Sequence, residues 1–421
     1  MSEEKGVNSR IIRITLLVLL AVAFVVMAVL FIMDNGALPT VGGAPMHFET
    51  TNISIRHDMD SHSQIHTYKD GKGFFLASRD GIRFIGSDGL EKMNSTYNMT
   101  APKLIGKGST AGVAEAGGLQ LYVCSADRLL YTVMTDHPIL SFSVAANGYS
   151  VVITQNGTEY NIIVYNAQGQ INHRGVFVDA NVYPMAADVS NDGRILAVSY
   201  LDTNGGEMNS KIFFSYINKT EAADFAAAEG VFAADNNHPD GLVGILRFMD
   251  GNHLIAVSDR SIVCYEADNR AKRKWDIDLG NTLDAVCFSE PTWFAIAYGD
   301  RNPNKPGEEP GLSQFFDLNG TVLGEYQSFG RVSKLAMGYN TALICSGRQF
   351  TAAAQNGSVL WTYDATYDVS QALFIENTNR LVLAGGTQTE VLHRVRERSN
   401  AAVTEAPNSY HNDTITDAEG E

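Results

Sequence analysis

Between residues 48 and 396, short runs rich in Val, Ile, Phe, Tyr and Leu alternate with Asn-Gly and Asp-Gly dipeptides, a pattern that leaves few folds open. The dipeptides fall at Asp70-Gly71, Asp80-Gly81, Asp88-Gly89, Asn147-Gly148, Asn156-Gly157, Asp192-Gly193, Asp250-Gly251, Asn319-Gly320 and Asn356-Gly357. Tight hairpin turns need positive φ, which glycine and asparagine tolerate best, so the pattern specifies antiparallel sheet. Helical periodicity is scarce.

The order within units recurs as well. A first strand such as ILSFSVAANG, PMAADVSNDG or LVGILRFMDG precedes a more apolar second, such as YSVVITQ, RILAVSY or NHLIAVSD. A third strand carries aromatics (KIFFSYIN, SQFFDLNG) and a fourth is polar (KRKWDID, SVLWTYD). First strands begin near residues 65, 102, 139, 183, 242, 282, 331 and 369. Four-stranded units at this spacing are the blades of a β-propeller, in which each sheet covers its faces with its neighbours. The fold class expected is all-β: a propeller of about eight blades preceded by one N-terminal transmembrane helix. Seven blades is the alternative, because the first two units are weakly patterned, and a pair of β-sandwiches is more distant. HFETTNISIRHD, residues 47–58, is placed to supply the last strand of the final blade and so remove an exposed edge.

These units resemble WD40-type and quinoprotein-like propeller repeats. Asn356-Gly357-Ser358-Val359-Leu360-Trp361 is similar to the Gly-x-x-x-Trp end of a quinoprotein-type repeat, and Trp275 in RKWDID sits at a similar place. The full tryptophan-docking motif does not recur blade after blade, and no WD dipeptide marks the blades. The whole layout resembles a bacterial family of single-pass, membrane-anchored proteins of unknown function, a resemblance that implies architecture and no activity.

Residues 14–33, ITLLVLLAVAFVVMAVLFIM, are uncharged. Twenty such residues span roughly 30 Å as a helix, the thickness of the bilayer hydrocarbon. Lys5, Arg10 and Arg13 precede the run and Asp34 follows it, which puts the N-terminus in the cytoplasm and the body outside. A cleaved signal peptide is the rival reading. The run exceeds a usual signal h-region, however, and Phe31-Ile32-Met33-Asp34 is a poor cleavage site. The expected organisation is a cytoplasmic tail at 1–13, a plasma-membrane helix at 14–33, a flexible stalk at 34–47, the propeller at 48–396 and a disordered acidic tail at 397–421. A lone apolar helix offers no polar pathway, so channel or transporter activity is disfavoured. The stalk reaches at most about 50 Å. A cytoplasmic tail this short holds no signalling domain, so sensing across the membrane would need a partner.

A net charge of −16 disfavours nucleic acid as a partner. Cys124, Cys264, Cys287 and Cys345 each lie in an apolar, strand-like run and read as buried free thiols, with a cross-strand disulfide as the alternative. No Cys-Cys pair of the quinoprotein dehydrogenase kind occurs, and neither do Gly-x-Ser-x-Gly, Walker A or His-Glu-x-x-His. No cofactor and no resident metal are expected. His57, His62 and His66 with Asp58 and Asp60 read as a solvated connection more readily than as a metal site. Asp202-Thr203-Asn204-Gly205-Gly206-Glu207 is oxygen-rich but lacks the ligand spacing of an EF-hand. An Ala-rich insertion, NKTEAADFAAAEGVF, is compatible with a short helix outside a blade.

Two insertions follow second strands: TNGGEMNS after RILAVSYLD, and RNPNKPGEEPG after WFAIAYGD. In a propeller such loops share a face with the inter-blade connections, of which HPDGL at 238–242 is one. The candidate binding rim is therefore Asp202, Asn204, Glu207, Asp300, Arg301, Asn304, Lys305 and Glu308. The leading expectation is a non-enzymatic, membrane-tethered scaffold for a protein or cell-envelope polymer. The competing one is an envelope-glycan hydrolase or lyase using rim acids, including Glu309, which would need two carboxylates facing across a cleft.

Overall fold

The second strand of each unit is apolar at nearly every position, so it needs cover on both faces, and the fold supplies it. In the computed structural model, residues 46–396 are described except 56–62, 69–70, 205–207, 218–229, 240, 269, 281, 300–309, 339, 376–378 and 386–388. The run at 14–33 and the tail at 397–421 lie outside the described residues. The described residues form thirty-two strands in eight four-stranded antiparallel sheets, within one compact unit, His47–Val395.

The eight blades are consecutive in sequence, and seven consist of four successive strands. Their innermost strands are Gln64–Thr67, Pro102–Lys107, Ile139–Val144, Val182–Val189, Val243–Phe248, Leu283–Ser289, Lys334–Met337 and Val369–Ile375, for blades 1 to 8. Blade 8 takes its outermost strand, Met46–Ile55, from the start of the propeller, which closes the ring between first and last strands. Eight blades, rather than seven, follow from this count. Seven of the nine expected turn glycines have positive φ: Gly71, Gly89, Gly148, Gly157, Gly193, Gly320 and Gly357.

The core is a set of seams, one between each pair of neighbouring blades. Phe75, Ala77 and Ile82 of blade 1 meet Ala111, Val113 and Cys124 of blade 2. The seam that closes the ring packs Phe74, Leu76 and Ile85 of blade 1 against Leu373, Val382 and Ala384 of blade 8. All four cysteines lie buried as free thiols. Burial pushes the thiols of Cys124 and Cys264 up to about 12, which keeps them protonated and unreactive.

A second kind of contact runs between an outermost strand and a turn of the next blade. Trp275, on the outermost strand of blade 5, donates from Nε1 to the Leu318 carbonyl at 2.9 Å. Its ring lies against Gly320, in a turn of blade 6, where a Cβ would come within 2.8 Å of the indole. Tyr131 of blade 2 lies in the same way over Gly169 of blade 3, where a Cβ would come within 2.9 Å of the tyrosine. Between blades 6 and 7 the contact is backbone to backbone: a Cβ on Gly357 would stand 2.1 Å from the Glu325 carbonyl. Trp361 packs edge-on to Phe374 of blade 8, with ring centroids 5.0 Å apart. The Trp275 docking predicts that Trp275→Ala lowers the free energy of unfolding in urea by about 2 kcal/mol, with Trp275→Phe recovering part of the loss.

Candidate functional site

Propeller topology sorts the connections onto two faces. Loops joining second to third strands lie on one face with the inter-blade connections; turns joining first to second strands lie on the other. On the first face, Asp202 ends the second strand of blade 4 and pairs with Lys211. Its Oδ1 accepts from the Asn204 backbone N–H at 2.8 Å, and Asn204 Oδ1 accepts from Asn181 in the inter-blade connection at 3.0 Å. The hydrogen bond from Lys211 holds the Asp202 carboxyl below the usual carboxylate range, with the Asn204 amide adding to it. The structure thus joins two of the predicted rim residues, Asp202 and Asn204, in a tied-down loop. Glu207, Asp300, Arg301, Asn304, Lys305, Glu308 and Glu309 lie outside the described residues.

What this face also carries is exposed apolar surface. Met134 and Val178, which end the outermost strands of blades 2 and 3, are 68% and 65% exposed. Leu119, Leu140, Tyr183 and Met208 join them from neighbouring loops and strand starts, and Leu242 extends the series to blade 5. Backbone bonds connect this arc: Thr135 N–H donates to the Leu119 carbonyl at 2.8 Å, and Ile139 N–H to Gly118 at 2.8 Å. Tyr183 rests against Tyr160, centroids 6.4 Å apart. Phe329, 94% exposed, stands on the same face between blades 6 and 7.

The polar chemistry concentrates elsewhere, around the axis. Innermost strands have one unpaired edge, so their buried polar groups need other partners. Gln371 Oε1 accepts from the Ile65 N–H and Gln64 Oε1 from the Leu104 N–H, both at 2.7 Å, which ties blades 8, 1 and 2. Asp188 of blade 4 is fully buried. Its Oδ2 accepts from Lys107 Nζ of blade 2 at 2.8 Å and from the Phe248 N–H of blade 5 at 2.7 Å, and its Oδ1 accepts from Ser143 of blade 3. One carboxylate therefore links four blades. Burial pushes the Lys107 ammonium below its ordinary pKa, opposed by Asp188.

Arg247 of blade 5 completes the network. Its Nε pairs with Glu290 in the first turn of blade 6, and its Nη2 donates across the axis to the Gly106 carbonyl of blade 2 at 2.7 Å. Beside Gly106 stands His66 of blade 1, so close that a Cβ on Gly106 would lie 1.8 Å from the imidazole. Burial, then the Arg247 charge, pushes the His66 pKa down to about 4, which leaves it neutral at physiological pH. These groups border a cavity of about 1500 Å³ that runs along the inner strands.

Three expectations change here. His66 belongs to an innermost strand and faces the channel, rather than sitting in a solvated connection; His57, His62, Asp58 and Asp60 lie outside the described residues. His238 is not in an open inter-blade loop. It sits buried on the strand Val231–Pro239, with Nε2 2.7 Å from the Tyr265 hydroxyl. The end of the Ala-rich insertion, Val231 and Phe232, is strand as well, and 218–229 lie outside the described residues. Sequence reasoning missed the axial network. Its signal was a charged residue within one position of the end of a first strand: Lys107, Asp188, Arg247 and Glu290. Among the described residues, no three His, Cys, Asp or Glu side chains cluster as metal ligands would.

The profile of a family of unknown function, DUF5711, matches residues 46–393. No curated protein matches the chain. Among solved structures, Sqt1 from Chaetomium thermophilum is similar at a TM-score of 0.53 and 11% identity, over 81% of this chain and 99% of that one. BamB from Moraxella catarrhalis is similar at a TM-score of 0.47 and 14% identity, over 84% of this chain and 99% of that one. The Pan2 WD40 domain from Neurospora crassa gives a TM-score of 0.42 at 9% identity, over 83% and 94%. At such identities the likeness concerns the fold alone.

Two outcomes follow from the axial network. Lys107→Met strands Asp188 as a buried, unpaired charge and lowers unfolding stability by about 3–5 kcal/mol, whereas the Lys107→Met/Asp188→Leu pair recovers most of it. His66 sets a pH dependence. Its folded pKa lies below the ordinary 6.5, so its contribution is complete above that pH and is lost as pH falls toward about 4. Chemical denaturation at stepped pH is expected to show that decline to be steeper in the native protein than in His66→Gln.

Proposed function

The chain belongs to the DUF5711 family, whose function is unknown, and from that premise we propose that it is a membrane-tethered, non-enzymatic propeller that docks a protein on its loop-bearing rim. The observation that carries this reading is the apolar arc over blades 2 to 5, with Met134, Val178 and Met208 among its most exposed members. Exposed apolar side chains gathered on one face mark an interaction site, because each gains by leaving water. The arc lies on the face that also bears the Asp202–Asn204 loop.

The tether rests on the uncharged run at 14–33 and the basic residues before it. The non-enzymatic reading draws on the ionisation of the carboxyls. Among the described residues, every carboxyl that departs from its ordinary pKa departs downward: Asp88, Asp127, Asp202, Asp250 and Asp317. A glycosidase-type general acid needs the opposite shift. Asp202, the described acid of the predicted rim, is held ionised by Lys211.

Photo-cross-linkers placed at Met134 or Tyr183 of the full chain, in its native membrane, are expected to capture one recurrent protein. A linker at Val359, on the outer strand of blade 7, is expected to miss it. Met134→Asp with Leu140→Asp should reduce the capture by about tenfold or more. Equal capture from all three positions, or only glycan or lipid adducts, overturns the reading.

A further inference from the structure

We propose that the axial channel is a binding site for an uncharged, elongated apolar molecule that carries one hydroxyl or carbonyl head. The inference is independent of the docking rim. Three observations carry it.

The first is shape and lining. The cavity, about 1500 Å³, is walled along blades 6, 7, 8 and 1 chiefly by aliphatic side chains, among them Leu283, Val286, Leu335, Met337, Val369 and Ile65. That volume exceeds a typical small-ligand pocket, and its wall is one that an alkyl or isoprenoid-like chain wets better than water does. The asymmetry has a cause in the fold. The charged groups Lys107, Asp188, Arg247 and Glu290 of blades 2 to 6 are spent on one another, so the polar network gathers on one side of the axis and the aliphatic wall on the other.

The second is charge balance. Arg247 is paired with Glu290, Lys107 with Asp188, and Arg331 with Asp284, while Lys334, the other cation of the lining, stands exposed to water at the start of its strand. A charged head entering the channel would meet no uncompensated counter-charge among the paired groups and would lose its own hydration. At the mouth, Asp192 and Asp250 line the cavity and oppose anions further.

The third is His66. It lines the cavity, and among the described residues nothing hydrogen-bonds its imidazole. A neutral imidazole offers one N–H donor and one nitrogen acceptor, the complement of a hydroxyl or carbonyl. The half-buried ring is open to the channel, so a ligand head that reaches it replaces water with a hydrogen bond that the protein itself does not supply. Gly106 is the residue that gives the ring its place, since any side chain there would overlap it.

The test uses the full chain in its membrane, labelled by a diazirine-bearing octanol and, in parallel, by the octanoate and octylamine counterparts, with labelled peptides mapped by mass spectrometry. Octanol is expected to label the strands Leu283–Ser289, Lys334–Met337 and Val369–Ile375 saturably, about tenfold above either charged probe. Ile245 lines the cavity and is 38% exposed, so Ile245→Trp fills the space without disturbing a packed seam. That variant and His66→Phe should each cut the channel label about tenfold, while His66→Gln, which keeps a donor and an acceptor, stays within about threefold of native. Met134→Asp on the rim should leave the label unchanged, which separates this site from the docking surface. Unlabelled channel strands, equal labelling by a charged probe, or native labelling of both His66→Phe and Ile245→Trp overturns the proposal.

Discussion

Everything in this propeller depends on the apolar seams between blades. A four-stranded sheet with an apolar second strand cannot cover itself. Phe75 and Ala77 of blade 1 are buried by blade 2, and Phe74 and Leu76, on the opposite face of the same strand, by blade 8. Each blade is thus half of two cores, and the ring is stable only when it closes. Closure is achieved by Met46–Ile55, the first strand of the propeller, which completes blade 8. The Trp275–Gly320 and Tyr131–Gly169 contacts reinforce the seams from outside, where the sheets splay apart.

Closure creates the second constraint. Eight inner strands converge with unpaired edges, and their polar groups need partners away from bulk water. Gln64, Gln371 and Asp188 supply them, reaching from one blade to the next or beyond. A buried pair such as Lys107–Asp188 is expensive to desolvate, and the added bonds from Ser143 and the Phe248 amide offset that penalty. The network ties blades 2 to 6 and leaves blades 7, 8 and 1 to present aliphatic wall. Rim and channel are therefore two chemically different surfaces built by the same closure: one carries exposed apolar side chains, the other sets a paired polar network against an aliphatic wall.

Much of this was legible residue by residue. The expected starts near 139, 183, 242 and 369 correspond to strands at Ile139, Val182, Val243 and Val369, because apolar strands recur at the blade spacing and local turns separate them. The use of 47–58 to close the last blade was legible too, since a strand without a hairpin partner of its own had to pair elsewhere. The blades with weaker turns were less secure: blade 7 begins at Lys334 rather than near 331. His66 was misplaced because its neighbours in sequence, His57 and His62, suggested a polar loop, whereas its surroundings are set by Gly106 and Arg247. The loop acids drew attention as chemistry-bearing residues, but the described ones, Asp202 with Asn204, secure a loop to Asn181.

The sequence alone determined the strand repeat, the turns, the blade count to within one and the buried state of the cysteines, since these follow from side-chain periodicity and turn chemistry over a few residues. Only the tertiary structure decided that Lys107 reaches Asp188, that Arg247 crosses to Gly106, and that exposed apolar side chains of blades 2 to 5 share a face. Such relations join positions up to 141 residues apart, and they exist only once eight sheets have closed around an axis.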